Sequence, residues 1–535
     1  MDAMVQPLTC RGPDGGGTWI TPMAGLGHRR LSVIDPEGGM QPMSRRYGQS
    51  VYTVVYNGEL YNFLELRQEL SALGYSFQTR SDTEVLLTGY IAWGPQAVER
   101  FNGIYAFAIW NTAERSLFLA RDRMGVKPLF YSKRPHEFLF GSEPKAILAH
   151  PHIHAEVDAE GLAEIFAMGP ARTPGFGVFH GIDELRPGHW LKISPSGCKL
   201  QSYWQLQSHE HPDNEEVTHR TIRALLEDTV KRQLIADVPV VTFLSGGLDS
   251  SIITALASQN FAVSGKPALE TYSIEFTDMK KFFTPNGFQT NLDAPWAKKV
   301  SDYLHTHHHR IEFDTPDLID SLQPALRARD FPGMADVDSS LLIFAEQIKK
   351  NATVALSGEA ADEIFGGYPW FFRADALAAS TFPWALRLPD RLAVLSPELR
   401  AWIQAENYVE RRYQEALAEV PRLAKDSPQE ARMREIGYLT MTRFLPTLLD
   451  RKDRMLMAVG LEGRVPYCDH RLVEYVWNIP WAMKASHGIA KNVLRQAVKD
   501  LLPEDVVMRQ KSPYPSTPNP SYFAAMQQQF LDILA

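Results

Sequence analysis

Between residues 12 and 204, apolar side chains alternate with polar ones in short runs at 51–56, 103–110, 116–120, 128–131 and 138–140, with turn residues between them. A period of two puts every second side chain on one face, so these runs predict strands. Two stretches follow a helical period instead. Over 62–73 the residues Phe63, Leu66, Leu70 and Leu73 fall on one face, and 82–93 reads as a second helix. The pattern predicts a strand-dominated domain over 1–206 with a few covering helices. Residues 207–216, QSHEHPDNEE, are polar without periodicity and predict a linker.

Beyond the linker the pattern changes, and 217–535 reads as a second domain. A helix is predicted over 216–235. Residues 237–244, DVPVVTFL, are β-branched and apolar, as a buried parallel strand requires, and 252–257 continues as a helix. Tyr272, Ile274 and Phe276 alternate in a strand over 270–276; further strands are predicted over 308–313 and 352–356, with a helix over 339–350. Strands alternating with helices imply a doubly wound parallel sheet, whose ligands sit at the carboxyl ends of strands where the topology reverses. After Tyr368 the chain is mostly helical, and a Pro-rich stretch at 512–520 leads into a final tail. Residues 278–292 carry no clear pattern and predict a loop. No internal repeat stands out.

Composition narrows the class. A chain of 535 residues, 44% hydrophobic and 22% charged, exceeds one core and fits two or three globular domains. No apolar run is long enough to span a bilayer and no signal-peptide pattern opens the chain, so the expected compartment is the cytoplasm, with no membrane partner. Three cysteines, Cys10, Cys198 and Cys468, lie far apart without metal-ligand spacing. A net charge of −8 argues against a nucleic-acid partner. Positive groups facing any anionic ligand must therefore be local.

The chemistry concentrates in two glycine-bearing loops. Ser245-Gly246-Gly247-Leu248-Asp249-Ser250-Ser251 follows the strand ending at Leu244 and opens a helix. Two glycines let the backbone approach a ligand, and serines with helix-start N–H groups donate to phosphate oxygens. The spacing is not that of the Walker loop, because an acid, Asp249, stands where that loop needs Lys-Ser/Thr. A carboxylate beside bound phosphates implies a bridging Mg²⁺. The same heptapeptide would also serve as an ordinary strand-to-helix turn. The second loop, SGEAADEIFGGY at 357–368, lies at the same sheet edge; DRKDR at 450–454, LEGRVPYCDHRL at 461–472 and KNVLR at 491–495 follow. Taken singly, Glu359 and Asp362 would cap a helix, Glu462 and Arg464 would form a buried ion pair, and Lys491 would be a solvated lysine.

Taken together and in this order, these pieces resemble the synthetase half of the class II, glutamine-hydrolysing asparagine synthetases, and SGGLDSS resembles the pyrophosphate loop of the ATP pyrophosphatases. RGPD at 11–14, RLS at 30–32, NGELYN at 57–62, SDTE at 81–84 and ARD at 120–122 resemble the glutaminase half of the same family. The resemblance implies an α+β, Ntn-type glutaminase sandwich in αββα layers, then an α/β synthetase domain of the ATP-pyrophosphatase (adenine nucleotide alpha hydrolase-like) type with helical additions. It implies ATP-dependent amidation of L-aspartate through β-aspartyl-AMP, with nitrogen from L-glutamine or ammonia, and ATP and Mg²⁺ as cofactors. Leu244, Ser245, Gly246, Gly247, Asp249, Ser250, Ser251, Ser357, Gly358 and Lys491 would hold ATP and pyrophosphate. Asp249 and Asp362 would be the metal carboxylates, Lys491 would meet the transferring phosphoryl group, and Glu359 would help deprotonate ammonia. Arg30 would pair with the glutamine α-carboxylate, Glu59 and Asp82 with its ammonium, and the Asn57 side chain with the Gly58 N–H would form the oxyanion hole. Such types suit a zwitterion in a partly dry pocket, and would equally serve as polar bonding in a β-rich core. The resemblance also makes a homodimer the expected assembly.

One departure matters. Glutaminases of this kind carry a cysteine directly after the initiator methionine, its freed amino group serving as base for its own thiol. This chain begins Met1-Asp2-Ala3-Met4 and reaches RGPD at Arg11. Cys10 adjoins that motif and reads as packing rather than as the nucleophile. Two explanations stand: a displaced start or truncation, which the retained Arg30, Asn57 and Asp82 favour, or a working dependence on free ammonia. Other amide-forming ligases, such as β-lactam synthetases and lasso-peptide cyclases, share the pyrophosphate loop, and a catalytically silent nucleotide-binding protein is the reading from another class. The histidines at 305 and 307–309 sit at a strand start, where alternate side chains face opposite ways, and read as structural rather than as a metal site.

Overall fold

In the computed structural model, which describes residues 1–285 and 291–535, the strands ahead of the expected linker are β1 (Gly15–Ile20), β2 (Gly25–Arg30), β3 (Met43–Tyr47), β4 (Ser50–Leu60), β5 (Gly103–Asn111), β6 (Ser116–Arg121), β7 (Phe130–Lys133), β8 (Phe138–Gly141), β9 (Asp183–Glu184), β10 (His189–Ser194) and β11 (Gly197–Ser202). Six of them form one antiparallel sheet in the order β11-β10-β6-β5-β4-β3; β1 pairs with β2, and β8-β7-β9 form a third sheet. The central strands are covered on both faces. Ala106, Ala108, Leu117 and Leu119 pack with Leu26 of β2 and with Leu129 and Leu185, which flank β7 and β9. On the other face, Tyr90 of helix α2 (Asp82–Trp93) stacks on Phe118 with ring centroids 4.8 Å apart, and α1 (Phe63–Ala72) packs beside α2. Burial on both faces explains why β6 shows no exposed position.

The second half places β12 (Val240–Phe243), β13 (Glu270–Phe276), β14 (His307–Phe313), β15 (Val354–Leu356) and β16 (Glu462–Arg464) in one parallel sheet, in the order β14-β13-β12-β15-β16. The chain winds outward one way from β12 through β13 and β14, then returns to the other side of β12 for β15. The reversal therefore falls between β12 and β15, as a doubly wound sheet requires. Helices α3 (Glu215–Gln233), α4 (Leu248–Val263), α5 (Ala294–Leu304) and α6 (Ala335–Lys349) accompany the sheet. Phe344, Ile348, Leu356, Leu456 and Leu461 are among its fully or nearly fully buried side chains.

The compact units are not colinear with the chain. One gathers Met1–Pro212, Asp362–Asp450 and Cys468–Trp481; the other gathers Asp213–Ala361, Arg451–Tyr467 and Ala482–Ala535. In the first, Ala163, Ala167, Met168 and Ala171 share a core with Phe382, Leu392, Tyr408 and Leu439 from the later helical segment.

Several local expectations are corrected. Leu73 is 58% exposed, because α1 ends at Ala72 and the apolar stripe stops at Leu70. The glycine-rich β1 and β2 show no apolar alternation and were not predicted. In the stretch 278–292, Met279–Phe282 is a short helix, whereas 286–290 lie outside the described residues. The final tail is a helix, Pro520–Leu534. The expected linker is irregular but held: the backbone N–H of His209 donates to Asn478 Oδ1 at 2.8 Å, and Trp477 Nε1 donates to Ser208 Oγ at 2.9 Å.

Candidate active site

The carboxyl ends of β12 and β15 deliver the two predicted loops side by side. Leu244 is buried and its N–H donates to the Tyr272 carbonyl at 2.8 Å, which extends the sheet by one residue. The chain then turns at Gly246, with φ +72°, where a Cβ would stand 2.3 Å from the Ala297 nitrogen and 2.4 Å from the Trp296 carbonyl carbon. Only glycine fits such a turn. Ser245 Oγ lies 3.1 Å from Ser250 Oγ, and Ser250 Oγ donates to the Gly247 carbonyl at 3.3 Å, so the loop closes on itself as a small hydroxyl-lined ring. Helix α4 starts at Leu248, aiming its first-turn N–H groups and the positive end of its dipole into this ring. Ser251 is fully buried behind it.

The second loop leans on the first. Ser357 N–H donates to the Arg464 carbonyl at 2.9 Å, and a Cβ on Gly358 would meet the Ser250 nitrogen at 2.9 Å and the Asp249 Cβ at 3.2 Å. The loops touch through a glycine because no side chain fits between them. Arg464 and Glu462 are the buried ion pair weighed from the sequence: Arg464 Nε donates to Glu462 Oε1 at 2.8 Å, and Nη1 donates to the Gln233 and Ile235 carbonyls at 2.7 and 2.8 Å. This arginine clamps β16 to the end of α3 and leaves the chemistry to its neighbours.

Two charged groups stand beside these loops, Lys491 and Glu359. Lys491 is 4% exposed, in a left-handed backbone conformation at the start of the helix Asn492–Ala497, and its Nζ donates to both Asp249 oxygens at 2.6 and 2.8 Å. It is a buried lysine aimed at the loop, not a solvated one. Glu359 takes Lys452 Nζ at 3.2 Å and Arg451 Nη2 at 3.4 Å. Burial pushes its pKa up, but Lys452 and Arg451 outweigh burial and hold it below the ordinary glutamate value. Burial lowers the Lys452 pKa despite that partner. Asp362, 8% exposed in the helix Ala361–Phe365, belongs to the other compact unit.

Sequence reasoning missed three supports of the loop. Arg509, 5% exposed, donates from Nη1 to the Ser245 carbonyl at 3.2 Å and from Nη2 to Asp293 Oδ1 at 2.5 Å, with its guanidinium over the Trp296 ring. Asp293 is thus the second. Tyr467, fully buried, donates its hydroxyl to the Asp249 carbonyl at 3.2 Å. Tyr467 sits inside a motif that had been singled out, so its signal was present. Arg509 and Asp293 carried none, because their partners lie 264 and 216 residues away.

The first unit gathers the residues expected around glutamine. Asp82, 4% exposed, follows the N-cap Ser81 of α2 and accepts the Tyr56 hydroxyl at 2.9 Å and the Leu60 N–H at 3.0 Å. Glu59 is 5% exposed. Arg30 is buried, and its guanidinium donates to the carbonyls of Ile34 at 3.1 Å and Asp35 at 2.7 Å and to that of Pro36. It thereby shapes the 34–40 loop. Gly58 has φ +143° and a Cβ there would overlap the Ile104 carbonyl oxygen at 2.0 Å, so β4 and β5 require this glycine. Asn57 Nδ2 is buried with no hydrogen-bond partner among the described residues. Arg11 of RGPD forms a buried ion pair with Glu143 at 2.8 Å, and Glu84 of SDTE accepts Arg45, both of which brace the unit. His28 Nε2 donates to the Tyr56 carbonyl at 3.0 Å, and burial lowers its pKa to about 4. Cys10 is exposed.

The histidine run divides as alternation requires. His307 Nδ1 and His309 Nε2 lie 3.1 and 2.5 Å from the Glu270 oxygens, whereas His308 faces Thr271 and Ser273 at 3.0 Å each. No helix among the described residues is long and apolar enough to cross a membrane.

Comparison with known proteins fits this geometry. A glutamine amidotransferase domain matches residues 1–204 and asparagine synthase matches residues 221–535. A glutamine amidotransferase domain joined to an asparagine synthase domain is the class these define. Over 522 residues, 98% of this chain and 85% of the relative, the chain is 51% identical to "Asparagine synthetase [glutamine-hydrolyzing] 3" of Bacillus subtilis (strain 168). It is 31% identical to that organism's synthetase 1, across 96% of this chain and 83% of the relative. It is 28% identical to "Amidase chry2" of Gibberella zeae, across 96% of this chain and 84% of the relative. The chain belongs to the asparagine synthase family.

Proposed function

We propose that this chain forms asparagine from aspartate, ATP and an ammonia source, releasing AMP and pyrophosphate, with residues 1–206 handling glutamine and 217–535 carrying the synthetase. The observation that carries the reading is the meeting of the two loops at the sheet's reversal point, with Lys491 2.6 Å from Asp249. Aspartate's side-chain carboxylate is a poor acylating group, so it first attacks the α-phosphorus of ATP. The ring of Ser245, Gly246, Gly247, Ser250 and Ser251, closed by Ser357 and Gly358, holds the departing pyrophosphate through hydroxyls and first-turn N–H groups. Lys491 follows the charge that grows on the transferring phosphoryl group, which favours the transition state over bound ATP. Ammonia then displaces AMP, and Glu359, kept ionised by its two cations, accepts a proton from the attacking nitrogen.

Hard carboxylate oxygens suit Mg²⁺, and Asp249 at the mouth of an anion cradle is the donor type that ion takes. Asp249 would hold it, and when bound it offsets phosphate charge. In the first unit, Arg30 supplies the positive partner for a glutamine carboxylate, and Glu59 and Asp82 the negative partners for its ammonium. The buried Asn57 Nδ2, without a partner, and the Gly58 N–H are donors for the oxyanion of amide hydrolysis.

The test is amide formation by the full chain with aspartate and Mg-ATP, comparing ammonium with glutamine, alongside aspartate-dependent ATP/pyrophosphate exchange. Asparagine and AMP from ammonium are expected. Exchange driven by a different carboxylic acid and not by aspartate would overturn the substrate.

A further inference from the structure

Arg451 and Lys452 share one carboxylate, and share it poorly. Both approach the same Glu359 oxygen, at 3.4 and 3.2 Å. Arg451 is 3% exposed; its Nε is buried with no hydrogen-bond partner among the described residues, and its Nη1 reaches only Met334 Sδ at 4.0 Å. The Tyr514 ring lies under its guanidinium at 5.1 Å. Lys452, 5% exposed, rests its ammonium over the Phe243 ring at 5.1 Å. Lys511 adds a third positive charge within electrostatic reach of Glu359. Two desolvated cations on one carboxylate, with guanidinium N–H groups left over, make a cluster short of negative charge, which is costly unless an anion completes it.

The place of this cluster narrows the anion. Glu359 follows Gly358, whose Cα packs against Ser250 of the pyrophosphate loop, so the cations lie immediately beyond the phosphate cradle. A guanidinium with a neighbouring ammonium is built for a planar carboxylate. We propose that Arg451 and Lys452 bind the carboxylate of the acyl substrate that does not react, the α-carboxylate of aspartate, and thereby select aspartate over acids lacking that group. This deepens the aspartate reading above and rests on it. An anion seated on these cations also loosens their hold on Glu359, so substrate arrival prepares that carboxylate to accept a proton.

The experiment measures ATP/pyrophosphate exchange by the full chain with aspartate or 3-aminopropanoate, which keeps the reacting carboxylate and the amine but lacks the other carboxylate. Lys452→Met keeps the stem over Phe243, and Arg451→Lys keeps a charge while losing the fork; intact thermal unfolding identifies folded variants. With aspartate, kcat/KM is expected to fall by about 100-fold, while KM for ATP stays within about twofold of the parent. With 3-aminopropanoate the variants should match the parent, so the preference for aspartate collapses. A rise of the ATP KM in step with that for aspartate would place a phosphate on these cations and overturn the proposal, as would an unchanged preference in either folded variant. No aspartate-dependent exchange in the parent would instead remove the aspartate reading beneath it.

Discussion

The contact between Asp249 and Lys491 makes a quantitative demand on the nucleotide-free protein. The lysine side chain is 5% exposed and the carboxylate 19%, and Nζ reaches both oxygens. Removing one member deprives the other of this two-pronged contact. Asp249→Asn leaves a buried ammonium facing a neutral amide and should cost about 3–5 kcal/mol. Lys491→Met leaves a carboxylate that keeps some solvent and the favourable end of α4, for about 1–3 kcal/mol. Removing both leaves no uncompensated charge, so the double variant should lose only about 0–2 kcal/mol. Taking the midpoints, the coupling energy is then roughly 5 kcal/mol, above the roughly 0.5–3 kcal/mol usual for residues in contact. A chain with two units will not melt in one step. Hydrogen exchange of the amides at 252–257 in α4, read across urea concentrations, confines the measurement to the relevant unit. Double-variant losses equal to the sum of the single ones, within about 0.3 kcal/mol, would show that the pair is a packing coincidence.

Lys491→Ala should abolish ATP/pyrophosphate exchange while weakening ATP binding far less, as separate exchange and nucleotide-binding assays would show. Gly246→Ala forces a side chain to φ +72° and into the Trp296–Ala297 backbone; a loss of about 3 kcal/mol or more is expected, with pyrophosphate affinity falling alongside thermal stability. His28 has a pKa of about 4 against 6.5 when unfolded, so between those values only the unfolded chain takes the proton. Its stabilising share is therefore full above pH 6.5 and declines as pH falls towards 4, and His28→Gln should flatten the melting temperature over that window. Asn57→Ala should leave stability nearly unchanged, since Nδ2 has no hydrogen-bond partner among the described residues to lose, yet weaken binding of L-glutamine, measured by calorimetry.

Periodicity served where one residue's environment repeats along an element. The strand over 270–276 and the helix over 82–93 match the structure to the residue. It failed for β1 and β2, where Gly15, Gly16, Gly17, Gly25 and Gly27 supply backbone pairing without an apolar face. The pyrophosphate ring was legible because its glycines and serines are consecutive. Arg509 was not, since nothing near it in the chain signals a bond to Ser245, and the shared Glu359 oxygen between Arg451 and Lys452 emerges only in three dimensions.

The way the chain is divided between its units has a consequence for synthesis. Residues near Ala163 and Met168 bury themselves against Phe382, Tyr408 and Leu439, so the first unit stays unfinished until the segment ending at Trp481 has left the ribosome. By then the parallel sheet, completed at Arg464, has already been synthesised. The amino-terminal part therefore cannot mature first and wait, as domains strung along a chain usually do. A gene split at the polar stretch near residue 210 would give a first fragment lacking the later segments of its unit, and a second carrying the whole of the other unit together with those missing segments.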